Sequence, residues 1–195
     1  MSQLQLYNLE IPAQAAYRWQ MYSRYGWHQA MLAFFADSEP KTLLWHRQSD
    51  TVFGSRCTVL TDGRIISTGN LPLRVKSKVY PLEYLQHDVY RFAVELSPRR
   101  EEMHTHRKRS VDVELLPQWF RERSAGWGFE TLQLSLDNQR VETFVRRNEH
   151  ILMQEAAFSG LLRVTDRESF IRSATCGIGG RRRFGFGLLR LARLS

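Results

Sequence analysis

Two hydrophobic periodicities follow one another at the start of the chain, and the same order returns in its second half. Leu4 to Ile11 alternates apolar and polar side chains, the period of a half-buried strand, and Pro12 stops it. From Tyr22 to Phe35 the spacing changes: Tyr25, Trp27, Met31, Leu32, Phe34 and Phe35 suit a helix that packs one face and ends near Asp37 and Ser38. Thr42 to His46 and Cys57 to Thr61 are short β-like runs, and Thr61-Asp62-Gly63 is a tight-turn signal. Val89 to Leu96 (VYRFAVEL) alternates again, with Pro98 ending it.

Residues 99–110 (RREEMHTHRKRS) carry charges of both signs and no periodicity, the composition of a linker. This places one domain at 1–98 and another at 111–195. Beyond the linker come a short helix around Pro117 to Arg123 and strands at Phe129 to Leu136, Val141 to Arg147 and Ile151 to Val164. A helix from Asp166 and a last strand through Leu188 to Leu194 complete the second half. The element order predicts an α+β fold of two tandem ferredoxin-like (RRM-like) domains, without a repeat at the level of residues.

Charge narrows the partner. The chain of 195 residues has 28 Lys and Arg against 20 Asp and Glu, a formal charge of +8. The basic residues cluster at Arg99-Arg100, Arg107-Lys108-Arg109 and Arg181-Arg182-Arg183. A polyanion, nucleic acid first, is the partner such clustering fits; a surplus that merely keeps the protein soluble is the alternative. No helix-turn-helix or zinc-finger spacing points to DNA. Cys57 and Cys176 form neither a CxxC pair nor a disulfide framework, so a reducing compartment is expected. The first residues lack a basic segment followed by an apolar run, and no stretch approaches the roughly 18 apolar residues of a bilayer span. The expectation is a cytoplasmic protein without membrane contact.

Gly177-Ile178-Gly179-Gly180-Arg181-Arg182-Arg183-Phe184-Gly185-Phe186-Gly187 is the most informative segment. A dinucleotide fingerprint follows a strand and opens a helix, whereas this cluster follows an expected helix and opens a strand; no P-loop ending is present either. Two uses remain. The glycines let backbone N–H groups approach a phosphate beside the guanidiniums of Arg181, Arg182 and Arg183, or the segment is a turn with a solvated charge run. His104-Thr105-His106, and His46 with Cys57, lack neighbouring ligand partners, so neither a metal nor another cofactor is expected.

Together with Phe158-Ser159-Gly160-Leu161-Leu162-Arg163-Val164, this segment resembles the C-terminal signature of the CasE family of CRISPR-repeat endoribonucleases. That signature is a Phe-Gly-Leu strand, a helix, a glycine loop and a terminal strand. Here GIG, four residues, then FGFGLL match it. Tyr25-Gly26-Trp27-His28 is similar to the family's Tyr-x-x-His on the first helix. The resemblance is carried by residues 20–36 and 141–195.

The resemblance implies a metal-independent endoribonuclease that binds the hairpin of a CRISPR repeat RNA, cuts at its 3′ base, and stays with the mature crRNA among the other subunits of a Cascade-type effector. It makes His28 the general base or acid and Tyr25 the group that orients the 2′-hydroxyl or assists the leaving oxygen. Spacing is compatible, since residues three apart on a helix share a face with Cβ atoms about 5–6 Å apart. Arg140, Arg146 and Arg147, on or near an expected β-hairpin, would grip the stem; cations on an exposed strand pair also discourage edge pairing. Gly177, Gly179, Gly185 and the three loop arginines would contact the backbone. Ser97-Pro98-Arg99 departs from the family's Asn-Pro, and the following linker is short. The rival function is a non-catalytic module that holds an RNA stem for another nuclease.

Overall fold

The computed structural model describes residues 3–36, 40–48, 54–65, 73–101, 108–146 and 149–194. Two compact units emerge: Met1–Leu82 with Arg181–Leu188, and Glu83–Gly180 with Leu189–Ser195.

In the first unit β1 (Gln5–Pro12) leads to a short helix α1 (Ala13–Arg18), the longer α2 (Arg24–Phe34), and strands β2 (Leu43–Arg47), β3 (Gly54–Thr61) and β4 (Arg74–Val79). The strands form one antiparallel sheet in the order β2-β3-β1-β4. Alternation decides which face is covered. Tyr7, Leu9 and Ile11 of β1 are buried in a cluster with Trp45 of β2 and with Cys57 and Val59 of β3. Helix α2 contributes Trp27, Ala30, Met31 and Phe34 to the same cluster, the 3–4 spacing of one helical stripe. Each large side chain buried there contributes about 1.5–3 kcal/mol. The Ser23 hydroxyl caps α2 by accepting from the Gly26 N–H at 3.2 Å. Burial pushes the Cys57 thiol far above its ordinary value, so it serves this core as a neutral group.

In the second unit β5 (Val89–Leu96) is followed by a two-residue ribbon of β6 (Arg100–Glu101) and β7 (Lys108–Arg109). Then come α3 (Leu116–Ser124), β8 (Phe129–Arg146), β9 (Glu149–Val164), α4 (Arg167–Cys176) and β10 (Arg190–Arg193). The sheet order is β10-β5-β9-β8, again antiparallel throughout. With α3 between β5 and β8, and α4 between β9 and β10, this is the split βαβ arrangement. Its core is aromatic: Phe92 stacks on Phe120 at 5.6 Å, Phe120 meets Phe158 at 4.6 Å, and Tyr90 stacks on Phe170 at 5.4 Å. Asp166 caps α4, its carboxylate accepting from the N–H groups of Glu168 and Ser169.

The α+β fold of two ferredoxin-like domains is therefore as the element order predicts, with three differences. Val89–Leu96, counted with the first half, pairs with β9 and β10 and opens the second sheet, which moves the division from 99–110 to about residue 83. Alternation identifies a strand but carries no information on its partner. The strands expected at 129–136 and 141–147 fall, as far as Arg146, on one strand, β8, with register shifts at Thr131/Gln133 and Leu136/Asn138; Asp137, in the gap between them, is taken up in a bulge, and Asn138 pairs with Ala157. The short α1 and the cationic β4 had no pattern strong enough to be anticipated. Asp37, Ser38, His104, His106 and Arg107 lie outside the described residues. Among the described residues no helix is long and apolar enough to cross a membrane.

Candidate active site

Helix α2 presents two faces. Arg24, Trp27, Met31 and Phe34 share the buried one, while Tyr25 and His28 lie half-exposed beside it, as their three-residue spacing requires. Their rings are 6.5 Å apart between centroids.

Arg24 ties this helix to the arginine segment. It is 7% exposed, on the apolar stripe. Its Nη1 donates to the carbonyls of Phe184 at 3.2 Å and Gly185 at 3.5 Å, and the guanidinium carbon lies 4.1 Å from the Phe186 ring centroid. A buried cation needs such partners: charge-assisted bonds to carbonyls are each worth about 1.5–3 kcal/mol, and the aromatic face takes the side without donors. Trp45, stacked on Trp27 at 5.9 Å, supplies a second tie by donating its indole N–H to the Arg183 carbonyl at 3.1 Å.

Between these anchors the chain makes a single 3-10 turn, Arg182–Phe184, entered by Arg181 at φ 56° and left by Gly185 at φ 82°. The turn sets the Phe184 ring 4.9 Å from the His28 ring at an interplanar angle of 47°. Arg182 and Arg183 are exposed, and Arg181 is half-buried. The first unit thus brings Tyr25, His28, Phe184 and Gly185 together through Arg24 and Trp45.

The remaining site expectations fall elsewhere. Gly177 ends α4 at φ 78°, its N–H bonded to the Ser173 carbonyl, and Gly179 packs near Leu96; both belong to the second unit. Glycines and arginines read as one cradle are therefore divided between the two units. Arg140 of β8 is 60% exposed and donates its Nε to Glu155 of β9, whose carboxylate is 7% exposed. Of Arg146 only the backbone pairing with Glu149 is described, and Arg147 lies outside the described residues. Among the described residues no group of three or more His, Cys, Asp or Glu could hold a metal ion.

A family model described as CRISPR associated protein matches residues 4–193. The chain belongs to this family. The match spans the middle of this CRISPR-associated protein, residues 37–140, where the sequence motifs were sparse. No curated protein sequence matches it. Among solved structures, Thermus thermophilus Cse3 bound to an RNA representing a pre-cleavage complex is 20% identical with a TM-score of 0.82, over 98% of this chain and 100% of that one. The CRISPR-associated protein Cas6e from Escherichia coli str. K-12 is 20% identical with a TM-score of 0.76, over 97% and 100%. A chain of a pre-nicking CRISPR RNA-guided surveillance complex is 17% identical with a TM-score of 0.70, again over 97% and 100%. At these identities the likeness shows the fold.

Arg24 and Trp45 did not stand out in the sequence of this family member. Arg24 was legible in principle, because it stands three residues before Trp27 and seven before Met31, a cation on an apolar stripe. Trp45 carried no such signal, since its partner is a carbonyl 138 residues away.

Proposed function

We propose that this protein is an endoribonuclease that binds the hairpin of a CRISPR repeat RNA, cuts at its 3′ base, and remains with the product as a subunit of a Cascade-type effector. The observation that carries the reading is the pairing of Tyr25 and His28 on α2 beside Phe184, in a chain whose family match runs from residue 4 to 193. The fold shared with Cse3 bound to RNA supports the same substrate class.

RNA supplies its own nucleophile. The 2′-hydroxyl next to the scissile phosphate attacks phosphorus, the 5′-oxygen leaves, and the protein moves two protons and stabilises the charge between them. His28 acts as base toward the 2′-hydroxyl or as acid toward the leaving oxygen, and Tyr25 orients the hydroxyl or assists departure. Phe184 limits the rotation of the imidazole. The products are a 5′-hydroxyl and a 2′,3′-cyclic phosphate, and no metal takes part. Arg182 and Arg183 contact phosphates without exchanging protons at neutral pH. Arg140 retains N–H groups besides the one given to Glu155, and with Arg146 and Arg147 it serves the stem.

The test is His28→Ala under single-turnover conditions with a repeat hairpin. Cleavage should slow by about 10²–10⁴-fold with affinity within about threefold of wild type, and Tyr25→Phe should cost less. A His28→Ala variant that cuts at the wild-type rate removes His28 as the base or acid, whereas a wild type that binds the hairpin without cutting it is a binding module.

A further inference from the structure

Outside the candidate site, β4 carries three cations in six residues. Arg74, Lys76 and Lys78 alternate there with Val75, Ser77 and Val79, and all six residues are exposed. The register with β1 sets the direction of each group. Val75 and Ser77 lie opposite Leu9 and Tyr7, which belong to the cluster under α2, whereas Arg74, Lys76 and Lys78 lie opposite Glu10, Asn8 and Leu6. The three cations therefore share the sheet face turned away from α2, Tyr25 and His28.

Strand geometry spaces them about 6.6 Å apart, comparable with successive phosphates along an extended single strand. The face continues across β1 and β3 in hydrogen-bonding groups: Thr58 donates to Asn8 Oδ1 at 3.2 Å, and Gln48 Nε2 donates to Thr58 at 3.3 Å. Glu10, a carboxylate on this face, is engaged by Arg56 at 3.5 Å. Among the described residues no carboxylate pairs with Arg74, Lys76 or Lys78. β4 is an edge of its sheet, where such cations also discourage pairing with another strand. Beyond these polar groups the same face turns apolar, where Leu6 and the half-buried Tyr80 pack with Leu44, Leu60 and Leu188, so phosphate contacts fall along Arg74, Lys76 and Lys78, and the ring at their end can take any base by stacking.

We propose that this sheet face is a second RNA-binding surface, which tracks the backbone of single-stranded RNA flanking the hairpin without reading its sequence. The proposal rests on the proposed function for why such RNA is present, but its chemistry stands alone. The probe is accordingly an oligouridylate of about ten nucleotides, with no hairpin. Its affinity is measured across a salt series for wild type, for Lys76→Gln/Lys78→Gln and for Lys76→Arg/Lys78→Arg. Each phosphate contact on a single strand contributes about 0.7 to the slope of log affinity against log salt, so the Gln pair should lower the slope by about 1.4 while the Arg pair keeps it.

A second arm uses the repeat hairpin with and without a single-stranded extension. The extension should raise affinity for wild type and add nothing for the Gln pair. An unchanged slope in the Gln pair, or equal loss in the Arg pair, overturns the proposal. So does a Gln pair that retains RNA binding but fails to assemble with other effector subunits, which would assign the face to a protein. A wild type that binds oligouridylate but not the hairpin refutes the proposed function and leaves this surface standing.

Discussion

Gly185 is the residue on which the candidate site's geometry turns most sharply. Its φ of 82° lies where side chains are strained, and a Cβ there would meet the Trp45 ring at 2.4 to 2.7 Å. Only glycine lets the indole pass and reach the Arg183 carbonyl. Gly185→Ala is expected to destabilise the first unit by about 2–4 kcal/mol, from the left-handed backbone plus a clash with a rigid ring. Urea unfolding monitored by tryptophan fluorescence measures this directly; a loss below about 0.5 kcal/mol, the range of an ordinary surface change, would contradict it. The glycine was legible as a close-approach residue, but the approaching group was not. Sequence pointed to phosphate, whereas what stands against Gly185 in the fold is Trp45. The nearness of Tyr25 and His28 was legible because helical spacing is local, and Arg24 only in principle, as a cation that interrupts a stripe; the contacts of Arg24 and His28 with residues 184–186 are long-range and left no local trace.

The elements divide in the same way. Those with a period of their own, β1, α2, β5, α3, β9 and α4, were readable within a few residues, whereas β4 and α1 were not. Pairing was the hidden variable: β5 looks like a member of the first sheet until its register with Ala156 to Arg163 is known. The segment after α4 shows the functional consequence. It reads as one basic glycine loop, yet Gly177 and Gly179 finish one unit while Arg181 to Leu188 build the other. Within the turn, Arg182 and Arg183 project outward, and Arg181 is half-buried with a left-handed backbone. Repeat affinity measured across a salt series should accordingly lose about one unit of slope in Arg182→Ala or Arg183→Ala, with cleavage at saturating protein changed far less than by His28→Ala. Unchanged slopes in both variants would mark a merely solvated charge run.

At the scale of the whole molecule, the formal charge of +8 includes cations that are grouped. One group of cations lies on the 181–183 turn beside α2 and another on the far face of the first sheet, and Arg140 of the second sheet gives one N–H to Glu155. This grouping fits a protein that holds a polyanion and leaves the chemistry to Tyr25, His28 and the substrate's own hydroxyl. The proposed cleavage depends on where the nucleophile comes from. The deciding measurement is cleavage of a repeat hairpin in EDTA, with ribose or 2′-deoxyribose at the nucleotide before the scissile phosphate. The ribose substrate should be cut in EDTA to a 2′,3′-cyclic phosphate, and the deoxy substrate should bind with similar affinity and remain whole. Cleavage of the deoxy substrate, or loss of all cleavage in EDTA, would contradict the mechanism.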